Sequence, residues 1–407
     1  MNLSFFIAAR YFKSTKKRNF ITVLSRISMV GVAVGTMSLV VVLSVFNGLE
    51  DLIKSLYASF DAELKVEPVL GKSFEVSEGF LANLSALEGV EILTEVIEDN
   101  ALFRYGDHQV VATLKGVSEN FLLQERFSNG YFTGEMSLGE PGKPQAIVGR
   151  GLSYFLLMDL DDQFELIQVF YPKDPRAGSI DPSNMYNREV IKAVGVFSIE
   201  KQFDDEYVIV PLGFAQKLLN YGNRRTALEI KVAEGNDLKS VKERIREHLG
   251  SDFSVKDTDE QHASLLMTIR LEKLFVFLTL TFILAVASFN IFFSLSMLAI
   301  EKKKDIAVLF SLGGTKKLIR SIYLKEGAII AFSGAIIGLF LGFVICWVQD
   351  TYGLVSLGVT SSIVESYPVK MKLNDFLYTS LSVIVITLLA SYRPALIASK
   401  VKTTLHL

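Results

Sequence analysis

The chain has 407 residues, half of them apolar and 21% charged, with a formal net charge of −2 and a mean hydropathy of +0.35. A near-neutral chain carries no electrostatic footprint for nucleic acid, and its single cysteine, Cys346, excludes an intrachain disulfide and a cysteine-based zinc cluster. This mixture fits neither a wholly soluble nor a wholly membrane-embedded protein.

Residues 2 to 12 (NLSFFIAARYF) are apolar but too short to span a bilayer, and Lys13, Lys16, Lys17 and Arg18 follow. Residues 1–26 therefore read as an interfacial helix with its basic flank at lipid headgroups. The uncharged run Ile27 to Leu49, about 23 residues, exceeds a signal-peptide core and gives a first membrane span over 27–49. Gly31 and Gly35 sit four apart on it, a spacing that lets another helix approach closely.

Residues 50–272 hold no spanning run. Strands are expected at Leu64 to Val66, Glu91 to Val96, Leu102 to Tyr105, Gln109 to Lys115, Ala146 to Gly149, Phe164 to Phe170, Val190 to Phe197, Tyr207 to Val210 and Ala227 to Val232. Helices are expected at Phe80 to Leu87, Leu152 to Met158, Leu212 to Leu219 and Leu238 to Leu249. The three-proline stretch 171–189 reads as a long protruding loop, and Asp204-Asp205-Glu206 as a solvated turn. The whole is large enough for one or two α+β subdomains.

A second uncharged run, Leu274 to Ile300, places a second span over 273–300, with Asn290 near mid-membrane as an expected interhelical hydrogen-bonding group. Glu301 to Asp305 end it. A short amphipathic piece, Ile306 to Phe310, then stops at Gly313-Gly314, a pair suited to a helix C-cap. The basic segment 301–320 is thus a candidate surface for a cytoplasmic partner. A third span over 321–349 carries Gly334, Gly338 and Gly342 at four-residue spacing. A polar loop over 350–372, a fourth span over 373–393 ending at Arg393-Pro394, and a tail over 394–407 complete the chain. The N-terminus, the 301–320 segment and the tail are all basic, and with four spans all three fall on the cytoplasmic side. The 50–272 domain and the 350–372 loop then lie on the other side.

Signals for chemistry fail. Gly71-Lys72-Ser73 looks like the end of a P-loop, but Val66 stands where its first glycine is required. His108, His248, His262 and His406 lack metal-ligand spacing, and no Gly-x-Ser-x-Gly elbow occurs. No catalytic, cofactor or metal site is expected.

One span, a large inserted domain and three further spans resemble the MacB-like permeases of ABC exporters. The segments ISMVGVAVGTMSLVVVLSVFNGLE, LEKLFVFLTLTFILAVASFNIFFSLSMLAIEKKKDIAVLFSLGGT, YLKEGAIIAFSGAIIGLFLG, AIVGRGLSYFL and AVGVFSIEKQFDDEYVIVPLGFAQKLL are similar to the lipoprotein-releasing, Lol-type, branch of that family. The resemblance implies a permease lacking its own ATPase, with ATP and magnesium acting through separate ATP-binding subunits. It implies pairing with a second permease chain, homo- or heterodimeric, in the lipids of the bacterial inner membrane. Lipoproteins would pass from that membrane to a periplasmic carrier by mechanotransmission. The ATPase-docking helix would comprise Glu301, Lys304, Asp305, Ile306, Leu309, Phe310, Gly313 and Gly314, with Ile306, Leu309 and Phe310 filling a groove on the ATPase. Tyr171, Pro172, Pro175, Arg176, Pro182 and Met185 would form a carrier-binding loop, and Val45 to Ile53 with Leu265 to Phe277 would line lipoprotein access. Two alternatives stay open: a MacB-like efflux permease, and an FtsX-like signal transmitter, whose outer domain is typically smaller.

Overall fold

A computed structural model of the chain describes every residue except 1–2, 14–19, 125, 127–130, 141, 161, 163–164, 174–184, 357–365 and 401–407. Two units divide it: Met1–Leu52 with Leu265–Thr360 and Val364–Leu407, and Ile53–Ser264 with Ser361–Ile363.

The first unit is helical. Four of its helices are long and apolar enough to cross a membrane: Phe20–Ala58, Ala263–Glu301, Lys316–Tyr352 and Leu373–Ala398, hereafter the first to fourth spans. The first two have 39 residues each, which at ~1.5 Å per residue is ~58 Å, about twice a bilayer's hydrocarbon core. The onset of charge in the sequence marks where apolar surroundings end, not where the helix ends. The fourth span also departs from expectation. It continues through Pro394, which is buried, and Ala395 and Ala398 beyond it still pack into the bundle core. Proline costs a backbone bond there, but packing on its far side holds the last turn.

Glycines decide how closely these spans approach. A β-carbon on Gly35 would lie 2.7 Å from Leu284 Cδ1, whereas one on Gly31 would meet Ala287 at an ordinary 3.6 Å. The third span presses its stripe onto the first span: a β-carbon on Gly334 would lie 2.6 Å from the Met29 carbonyl oxygen, one on Gly338 would clash with the Ala33 carbonyl, and one on Gly342 would lie 3.0 Å from Val40. Without side chains at these positions, backbones pack directly against neighbours, as lipid-embedded helices favour.

Asn290 is not the glue expected of it. It is half-buried and makes no hydrogen bond among the described residues. The buried stripe of the second span runs through Leu284, Ser288, Ile291, Ser294 and Leu298, and Asn290 lies off it. The side-chain bond to the first span is made one turn on, where Ser294 Oγ meets Ser25 Oγ at 2.7 Å.

The second unit is built on a mixed sheet. Its strands are β1 (Leu64–Pro68), β2 (Phe74–Glu75), β3 (Val90–Tyr105), β4 (His108–Val117), β5 (Tyr131–Gly134), β6 (Gly139–Glu140), β7 (Lys143–Gly149), β8 (Ile167–Pro172), β9 (Tyr186–Ser198), β10 (Tyr207–Pro211), β11 (Arg224–Arg225), β12 (Ala227–Val232) and β13 (Phe253–Asp257). The main order is β13-β1-β12-β3-β4-β10-β7-β9-β5, with β8 bridging β3 and β9. Pairs β10–β4 and β7–β9 are parallel. Central strands bury both faces, so alternate residues enter opposite cores. In β10, Val208 and Val210 join one cluster and Ile209 the other; in β7, Ala146 and Val148 face Ile147 in the same way. A third cluster packs β1, β12 and β13 with Leu84, Val241 and Ile245, the latter two from the helix Leu238–Leu249.

Two separate strands were expected within what is one sixteen-residue strand, β3. Glu98, Asp99 and Asn100 lie between the two expected strands, and each of their side chains is paired. Glu98 meets Lys115 at 3.0 Å, Asp99 accepts from Lys72 at 2.6 Å and Tyr171 at 2.9 Å, and Asn100 accepts from Thr113.

Candidate functional site

The second span breaks at Lys302, and a nine-residue helix, Lys303–Ser311, follows. Its end is a Schellman motif: Gly314 N–H donates to the Leu309 carbonyl at 2.8 Å and Gly313 N–H to the Phe310 carbonyl at 3.0 Å. Gly313 sits at φ +87°, a conformation that favours glycine. Thr315 then caps the third span by accepting from Leu318 N–H at 3.2 Å. The sequence's two glycines thus reverse the chain within a few residues.

The face this short helix offers differs from the expected one. Ile306 is 1% exposed and packs in the bundle core, with Leu309 and Phe310 half-buried against it. Glu301, Lys304, Asp305, Val308, Ser311, Leu312 and Gly313 are exposed, and Leu312 is 80% exposed. The apolar side of the helix is turned to its own bundle, so Ile306 cannot also fill a groove elsewhere, and Leu309 and Phe310 are each partly covered. The free face is mixed: Lys304, Asp305, Val308 and Leu312.

Toward the opposite end of the spans lies a polar cluster that sequence reasoning missed. Lys273 Nζ donates to Asn47 Oδ1 at 2.7 Å and lies 3.2 Å from Asp375 Oδ1. Asn47 Nδ2 donates to Asp375 Oδ2 at 2.5 Å and to the Lys370 carbonyl at 3.1 Å. Asn47 is fully buried and Asp375 4% exposed. Buried charge is tolerable only when paired and hydrogen-bonded, and here three spans are joined by the pairing. The signal was present as lone polar residues at the edges of apolar runs.

The 171–189 loop is in part a hairpin. Tyr171 pairs with Asn187 and Pro172 with Tyr186, and Lys173 N–H donates to the Met185 carbonyl at 2.8 Å. Pro172 and Met185 are exposed, but the Tyr171 hydroxyl is committed to Asp99. Pro175, Arg176 and Pro182 lie outside the described residues. Asp204 is not solvated: Oδ2 accepts from Ser198 Oγ at 2.7 Å and Oδ1 from Ile199 N–H at 2.9 Å, and burial pushes its carboxyl above the usual range. No grouping of potential metal ligands occurs among the described residues.

Residues 25–248, more than half of the chain, match the MacB-like periplasmic core domain, and residues 277–403 match the FtsX-like permease C-terminal. The chain belongs to this family: a multi-pass permease with a MacB-like domain between its first and second spans. Among curated proteins it is 22% identical to the lipoprotein-releasing system transmembrane protein LolC of Xylella fastidiosa, over 98% of this chain and 97% of that one. It is 23% identical to LolE of Haemophilus influenzae, over 99% and 98%. The crystal structure of the periplasmic region of MacB from Actinobacillus actinomycetemcomitans matches 51% of this chain and 94% of its own, at 12% identity and a TM-score of 0.36.

Proposed function

We propose that this chain is the permease subunit of an ATP-driven complex that moves lipoproteins out of the bacterial inner membrane to a periplasmic carrier. The observation that carries it is the likeness to LolC and LolE along nearly the full length, spans and inserted domain together. Both termini face the cytoplasm and the domain faces the periplasm, following the basic flanks. Two permease chains pair with separate ATPase subunits, which supply ATP and magnesium. ATP-driven closure pushes on Lys303–Ser311 and tilts the second span, and the domains then pass the lipoprotein on. The 171–189 loop, with Pro172 and Met185 exposed, serves the carrier.

Docking falls to the free face of the short helix. Leu312→Asp should abolish co-purification with the ATPase while leaving membrane insertion and thermal stability unchanged, because Leu312 is 80% exposed. Ile306→Asp should instead destabilise the bundle, since it puts an unpaired charge into a core site. Wild-type ATPase recovery by both Leu312→Asp and Val308→Asp would remove the docking assignment.

A further inference from the structure

A groove of about 470 Å³ opens beside the Lys273 cluster, between the first, second and fourth spans, with Arg270, Lys273 and Asp375 toward one end and Leu43, Phe277 and Leu381 along its walls. Arg270 to Phe277 and Asp375 to Leu381 are each about two helical turns, ~10 Å. The groove therefore changes from ionic to hydrocarbon over that length, as a lipid does.

The charges at its mouth do not cancel. Lys273 and Asp375 pair with one another. The Arg270 side chain is 60% exposed and approaches Glu50 only to 3.9 Å, a carboxylate that Lys372 approaches to the same distance; neither separation is a hydrogen bond. On the groove's lining, Arg270 and Lys273 against Asp375 leave one positive charge, and outside it the charges of Glu50 and Lys372 offset each other. Arginine presents a planar fork suited to phosphate oxygens.

We propose that this groove seats one anionic phospholipid, its phosphate at Arg270 and an acyl chain along Leu43, Phe277 and Leu381. The proposal rests on the spans crossing a bilayer and not on lipoprotein transport, whose failure would leave it intact. A lipoprotein's acylated cysteine has no phosphate to offer Arg270, which is why the phospholipid is favoured as occupant.

The single tryptophan, Trp347, lies outside the groove lining and allows a direct test. The full chain carrying Trp347→Phe and Leu381→Trp is reconstituted in phosphatidylcholine vesicles, with increasing fractions of brominated phosphatidylglycerol or brominated phosphatidylcholine. The expected result is half-maximal quenching at a several-fold lower fraction of the glycerol lipid, with the preference lost in Arg270→Gln. Tyr378→Trp replaces Leu381→Trp if the latter fails to insert. Equal quenching by both lipids, which identifies ordinary surrounding lipid, overturns the proposal. A preference that survives Arg270→Gln, or a triacylated lipopeptide that relieves quenching at stoichiometric amounts, overturns it too.

Discussion

The helical bundle and the sheet domain bury polar groups in opposite ways. In the domain, buried charge is gathered into a network. Lys115 and Glu229, 2% and 1% exposed, meet at 2.7 Å; Arg126 joins Glu229 at 2.6 Å, and Lys115 also reaches Glu98. Among the described residues, the buried side-chain atoms without a hydrogen-bond partner are all in the spans: Ser44, Thr281, Ser296, Tyr323, Glu326, Thr379, Thr387 and Ser391. Elsewhere in the bundle, hydroxyls turn back on their own helix, as Thr36 does to the Val32 carbonyl at 2.7 Å and Ser288 to the Leu284 carbonyl at 2.8 Å. A sheet brings side chains from three strands over one spot, so charges can satisfy each other. A helix in lipid has satisfied its backbone internally, and association then rests on close packing. Small residues with self-satisfied hydroxyls serve that best, and Asn47, Lys273 and Asp375 form a paired polar cluster within the bundle.

The comparison can be broken most forcefully in the domain. Lys115→Met should cost about 3–5 kcal/mol in denaturant unfolding, because Glu98 and Glu229 lose a shared buried partner. Slightly smaller is the pH effect. Burial opposes ionisation of Glu229, but Arg126 and Lys115 outweigh it and hold the carboxyl down to about 2. A depressed carboxyl contributes stability that is full above its unfolded value and is lost as pH falls through the folded one. The loss between about pH 4.5 and pH 2 should be on the order of 3 kcal/mol, and melting temperatures across that window, with Glu229→Gln as the flattened control, measure it.

In the bundle the effects come from shape. Gly338→Leu drives a side chain into the Ala33 carbonyl and should cost about 1–3 kcal/mol, read as a lower melting temperature in detergent. Gly31→Ala, with ordinary room, should be neutral or slightly stabilising; an equal loss in both variants would undo the packing account. The smallest loss is expected for Ser25→Ala, which removes the bond to Ser294 for about 0.6 kcal/mol. A loss there as large as in Lys115→Met would mean the bundle relies on polar pairing after all.

Much of this was legible beforehand because the signals are local. Gly313-Gly314 needs only chain geometry to become a Schellman stop, and Gly334, Gly338 and Gly342 form a smooth stripe on any helix. Asn290 misled because polarity at mid-span says nothing about which way a side chain faces. The Ile306, Leu309 and Phe310 face misled similarly: an apolar stripe must be covered, but its pattern does not say by what. Asp204 reads as part of a solvated turn, and residues 97–101 as a break between strands, because their partners, Ser198 and Ile199 in one case and Lys72, Lys115, Thr113 and Tyr171 in the other, come from other elements.

The sequence by itself determined four apolar helices, an α+β insertion between the first two, and the glycines on which the spans close. These follow from composition and period, which act over a few turns of chain. Tertiary structure alone decided that Ile306 points inward and Leu312 outward, that Lys273, Asn47 and Asp375 converge, and that a continuous β3 carries its charges across the sheet. Each depends on residues tens to hundreds of positions apart, and a buried charge or apolar face is stable only once the fold supplies its partner.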